Sequence, residues 1–145
     1  MSEKEFNWKG YQKFMGYSDE DLETFKSDPR RAESTKKLMS REILKKNLIV
    51  EVVKSHGCCA GMKPGDKLVF KALSLLDMEK SSKNWCAHAF GPIPIWATVV
   101  QDRFATGHDD EEMIYTHFSC GDTGPLCGGW GQVVMKGYLA ENPDV

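Results

Sequence analysis

Asn47-Leu-Ile-Val-Glu-Val-Val53 is the stretch that decides the fold. Leu48, Val50 and Val52 alternate with Ile49, Glu51 and Val53, and the β-branched content is high. Successive side chains of a strand point to opposite faces, so the stretch reads as a strand with one continuous apolar face. Downstream, Lys63-Pro-Gly-Asp66 is a turn, and residues 67–72 form a second strand with Leu68 and Phe70 on one face. Residues 73–91 read as irregular or partly helical. Pro92 and Pro94 open a helix over 92–104, with Ile95, Trp96, Val99, Val100 and Phe104 as its buried face and Gly107 beyond its end. A third strand is expected over 112–118 and a fourth over 132–139, separated by a loop rich in glycine and cysteine.

Upstream the pattern is helical. Trp8, Tyr11, Phe14 and Met15 fall at helical spacing on one face. Ser18 followed by Asp19, Glu20 and Asp21 is an N-cap with acid in the first turn, where it complements the helix dipole. That helix ends at Asp28-Pro29, because the residue before proline avoids the α region. A longer helix is expected over 30–46. The fold class is therefore α+β: a small, mostly antiparallel sheet with one packed helix and an N-terminal helical extension. The division falls into residues 1–46, the extension, and residues 47–145, the cysteine-bearing α+β domain. The extension's aromatics, Trp8, Tyr11, Phe14, Tyr17 and Phe25, either cover the protein's own sheet or dock on another subunit.

The chain has 145 residues, 41% apolar and 28% charged, enough for one domain with a hydrophobic core. A net charge of −2 gives no broad attraction to nucleic acid or to an anionic membrane. No apolar run approaches the roughly 20 residues that cross a bilayer. The polar start Met1-Ser-Glu-Lys-Glu-Phe lacks a signal-peptide core, so a cytoplasmic protein is the expectation.

Five cysteines, an odd number, argue against a disulfide scaffold. Three of the four histidines lie within three residues of a cysteine: His56 before Cys58 and Cys59, His88 after Cys86, and His117 before Cys120. Thiolate and imidazole ligate zinc and iron, and cysteine holds most iron–sulfur clusters. Strand ends of an antiparallel sheet can bring such residues to one edge. Cys59, Cys86, Cys120 and Cys127 form one ligand set, with Cys58 and His88 as alternates. The group would be an iron–sulfur cluster or a single zinc or iron ion. Without a Cys-x-x-Cys pair a zinc ribbon is disfavoured, and ferredoxin spacing is absent. Buried, unreactive thiols are the alternative.

The segment from Cys120 to Gly131, Cys-Gly-Asp-Thr-Gly-Pro-Leu-Cys-Gly-Gly-Trp-Gly, is the most informative. Backbone N–H groups of Gly121, Gly124, Gly128 and Gly129 can form a concavity for an anion or cluster. The competing reading is a tight strand connection with Trp130 covering the core. Thiol or acid–base chemistry is a further possibility, with His117, Asp122 and His56 as candidate catalytic residues. Walker, dinucleotide, HExxH and GxSxG motifs are missing, so nucleotide binding and serine hydrolysis have no support.

Gly57-Cys-Cys-Ala-Gly-Met-Lys-Pro-Gly-Asp66, followed by an apolar strand, resembles the Gly-Cys-x-x-Gly-His-Lys-Val-Gly-Asp segment of a family of short uncharacterised proteins of anaerobic bacteria and archaea. The resemblance extends over about residues 47–139 through Cys86 with Ala89, a proline-containing helix, and Cys120 with Asp122. Met62 stands where the family often has histidine, and residues 1–46 extend beyond its short members. The resemblance implies an anaerobic context that favours oxygen-sensitive iron–sulfur chemistry. Two functions follow as expectations. One is a small metal- or iron–sulfur-binding accessory subunit of a larger enzyme, docked through its aromatic helices. The other is a stand-alone lyase- or isomerase-type enzyme using a histidine or cysteine beside the glycine-rich loop. A purely structural domain is the third possibility.

Overall fold

The computed structural model describes residues 5–108 and 113–145. The sheet is built on the stretch read first. Strand β1 (Lys46–His56) is its centre, flanked by β2 (Lys67–Lys71) and by β5 (Gln132–Glu141), with two-residue β3 (Leu75–Leu76) and three-residue β4 (His117–Ser119) at the edges. The order is β3-β2-β1-β5-β4 and every pairing is antiparallel. β1 and β5 pair from Lys46 opposite Glu141 to His56 opposite Gln132, with an irregularity between Val52 and Lys54. The α+β class is as the sequence indicates.

Leu48, Val50 and Val52 are fully or almost fully buried, as their alternation requires. They divide the core in two. Val50 and Val52 join Leu68, Met62, Ala89, Ile93, Val133 and Met135 toward one end of the sheet. Leu48 joins Ile43, Leu73 and Val100 toward the other. Helix α6 (Ile93–Ala105) reaches both groups, through Ile93 and Val100, and the short α5 (Ala87–Phe90) precedes it.

The N-terminal helices are capped as read. Asn7 accepts the Gly10 N–H at 2.9 Å at the start of α1 (Trp8–Met15), and Ser18 and Asp21 form a reciprocal capping box on α2 (Asp19–Lys26). The single helix expected over 30–46 is two helices, α3 (Pro29–Leu38) and α4 (Arg41–Leu44), with Ser40 capping the second. The break has a geometric reason. Leu38 and Ile43 both pack into the group around Leu48, yet five residues of one continuous helix would set them about 140° apart.

The expected face of α1 also differs. Phe14 is 78% exposed. Gly16, in the left-handed region at φ 71°, turns the chain so that Tyr17 rather than Phe14 completes a cluster with Trp8, Tyr11 and Phe25, at centroid distances of 5.8–6.4 Å. These aromatics pack on one another, and α3 packs chiefly on α6 while its Leu38 reaches the core group around Leu48.

The sequence pattern places the third strand over 112–118. It is confined to His117–Ser119, and Glu112 lies outside the described residues. The buried face assigned to the proline helix is corrected as well. Val100 is buried, and Trp96 and Phe104 pack against it, but Ile95 is 72% exposed and Val99 45% exposed. The apolar arc of α6 is wider than the sheet can cover.

Candidate functional site

Two regions compete for the role of functional site. The first is the end of the sheet where β1 finishes and β5 starts. Gly57 and Gly131 meet there backbone to backbone. A Cβ on Gly131 would lie 2.5 Å from the Gly57 carbonyl carbon and 2.6 Å from the His56 oxygen, so only glycine fits. Gly121 N–H donates to the His88 carbonyl at 3.0 Å, which ties α5 to the same end. The three cysteine-bearing segments therefore lie together at this end of the sheet, the one with Cys86 through α5 rather than through a strand end.

The thiols themselves are less gathered. All five are unpaired. Cys120 is buried, its N–H donating to the Val133 carbonyl at 2.9 Å and its Sγ accepting the Val133 N–H at 3.3 Å. Cys58 and Cys86 are half-buried against the same apolar core group, Cys86 just before the first turn of α5. Cys59 and Cys127 are exposed. Among the described residues no three histidine, cysteine, aspartate or glutamate side chains stand where one ion could bind them all.

The glycine loop is knitted by Asp122. Its carboxylate accepts the N–H groups of Gly124 at 3.0 Å, Trp130 at 3.1 Å and Gly131 at 3.1 Å. The Gly124 N–H above all, with those of Gly131 and Trp130 and the nearby His88, holds this carboxyl below its ordinary range. Thr123 hydroxyl donates to the Cys127 carbonyl at 2.9 Å, and Gly129 N–H to the Gly124 carbonyl at 2.8 Å. Of the four glycines read as an anion cradle, Gly121, Gly124 and Gly129 thus spend their N–H groups inside the protein. Gly124 and Gly128 supply the positive φ values, 78° and 81°, that the turn requires. Trp130, read as a lid on the core, is 81% exposed. His56 is exposed at the end of β1, and His88 is exposed on α5.

The second region is a cleft of about 570 Å³ between α6 and residues 113–118. Ile95, Trp96 and Val99 form one wall and Ile114, Tyr115 and Phe118 the other, with Arg103 and His117 as its basic members. The Trp96 indole N–H donates to the Tyr115 carbonyl at 3.3 Å, and its ring tilts onto Phe118 at 5.7 Å. Gly137 of β5 makes this seat. A Cβ there would lie within 2.6 Å of the indole ring, so the missing side chain lets Trp96 lie against the strand. His117 Nδ1 is 3.0 Å from the Thr116 hydroxyl, and its residue stands opposite Lys136 on β5. Ile114 and Tyr115 are 88% and 85% exposed.

Of the candidate catalytic and ligand residues named from the sequence, His117 alone lines this cleft. Asp122, His56 and the cysteines do not line it. Ile95 and Val99 line it, and Gly137 seats its Trp96 wall, though no sequence motif marks them. The available signal was the excess breadth of the apolar arc on α6, read there as core. No family model matches the chain, and no curated protein or solved structure matches it.

Proposed function

We propose that this protein binds a small, largely apolar organic molecule in the cleft between α6 and residues 113–118. One observation carries the reading: large apolar side chains that a monomer would be expected to bury are held open around a concave surface of about 570 Å³. That volume is typical of sites for small molecules, roughly 300–1,000 Å³. Arg103 and His117 line it and, among the described residues, no acidic side chain does. Should the ligand be turned over, His117 is the group placed to move a proton. His117→Ala then abolishes turnover and leaves the fold intact.

The test is binding of a panel of neutral and carboxylate aromatic fragments, followed by amide and indole chemical shifts. Ile95→Asp places a charge on the apolar wall at an exposed position, and should abolish binding with little change in stability. Fragments that bind equally well to Ile95→Asp would sink the proposal.

A second reading rests on the convergence of residues 56–59, 86–88 and 120–127. In it, a metal or iron–sulfur group is held with Cys86 and Cys120 among its ligands, and the protein serves a larger enzyme as a subunit. Ligands beyond those now gathered would have to come from loop rearrangement or from that partner. Iron, zinc and acid-labile sulfide in protein purified without oxygen decide it. Stoichiometric metal lost in Cys120→Ser supports it, and metal-free folded protein counts against it.

A further inference from the structure

The cleft has a neighbour. A second cavity of about 200 Å³ lies over β5, its apolar walls made by Val100, Gly137 and Leu139 together with Trp96 and Met113, and its polar rim by Thr116, Lys136 and Tyr138. Trp96 and Met113 also line the outer cleft, so the two chambers share these two walls. The partition stands where it does because Gly137 has no side chain. A Cβ at that position would overlap the indole, and the ring would have to leave its seat. The indole is held by a 3.3 Å hydrogen bond to the Tyr115 carbonyl, on a segment that forms no strand. Methionine, the other wall, is the most adaptable of apolar side chains.

We infer that the two chambers form one elongated site, in which a ligand's unbranched apolar chain passes between Trp96 and Met113 to end over Gly137, the residue that sets its depth. This rests on the cleft reading above and adds the substrate class to it: a molecule with a flexible alkyl or aryl-alkyl tail rather than a compact ring. The inner chamber's apolar walls, Val100 and Leu139, belong to the second core group, so the tail ends against packed, ordered side chains. Thr116 lies at the mouth of β4 and lines the inner chamber without lining the outer one.

The experiment is a chain-length series of n-alkanols, from butanol to decanol, titrated into the full chain with chemical shifts as readout. Each methylene entering an apolar chamber should tighten binding about fourfold. In the unmodified protein the gain should continue past the length that fills the outer cleft. Gly137→Ala should halt it at a shorter chain. Thr116→Phe fills the inner chamber from the loop side and should do the same, which keeps the test informative if Gly137→Ala folds poorly. Long alkanols that bind no better than short ones, or a gain indifferent to both variants, would overturn the two-chamber site and leave the cleft reading standing. Absence of alkanol shifts anywhere along residues 93–104 and 113–118 would overturn both.

Discussion

Two regions of the molecule, the β1–β5 end and the cleft beside α6, invert the sequence's emphasis. Nearly all the chemistry-bearing residues sit at the end where β1 meets β5, and that end is closed. Glycine presses on glycine, Asp122 consumes three backbone donors, and Cys120 exchanges hydrogen bonds with Val133. The flank along α6 and β4 carries no recognisable motif yet holds the cleft. Residue types that catalyse and ligate are also good at tying loops, because a carboxylate can accept several N–H groups and glycine permits backbone contact. A motif-rich loop therefore needs its donors counted before it is read as a site.

This contrast can be broken at several points. The largest effect is expected from Met135→Ala, which empties a fully buried position beneath the closed end and should cost about 2–5 kcal/mol in chemical denaturation. Gly131→Ala should follow at about 1–3 kcal/mol, since a Cβ there has no room beside Gly57 and His56. A Gly131→Ala variant of unchanged stability would show that the closed end is not closed. Smaller again, Cys120→Ser should cost about 1 kcal/mol, whereas Cys59→Ser and Cys127→Ser should stay within about 0.5 kcal/mol. Equal losses at all three would mean that the exposed thiols share a structural task with the buried one.

Acid should distinguish the regions as well. Asp122 titrates below the ordinary carboxylate range in the folded protein, so its contribution to the loop is present above the unfolded value. That contribution is lost as pH falls through the folded value. The amide signals of Gly124, Trp130 and Gly131 should then titrate together at acid pH while those of α6 stay in place. Independent movement of the three would separate Asp122 from the loop's order.

The α+β class was legible because it rests on local patterns: alternation in β1, the capping box at Ser18, and the turn at Lys63–Asp66. What escaped the sequence depends on which faces meet. Leu38 and Ile43 break a helix because both must reach Leu48. Tyr17 replaces Phe14 because Gly16 redirects the chain. Ile95 and Val99 look like core in a helical projection, and only the limited width of the sheet leaves them outside. Strand ends allow the segments with Cys58 and Cys120 to meet, but the segment with Cys86 joins them through α5, which strand ends do not indicate. Gly137 carried no signal, since its role is to leave space for a side chain 41 positions away (137 against 96).

The most direct test of the central claim is a map of amide and indole chemical shifts on titrating the full chain with small aromatic and alkyl fragments. If the cleft is the working surface, the shifts gather on Ile95, Trp96, Val99, His117 and Phe118, and the loops at 57–59 and 120–131 stay still. Shifts confined to those loops, with α6 unmoved, would contradict the account and return the cysteine-bearing end to the centre of this protein's function.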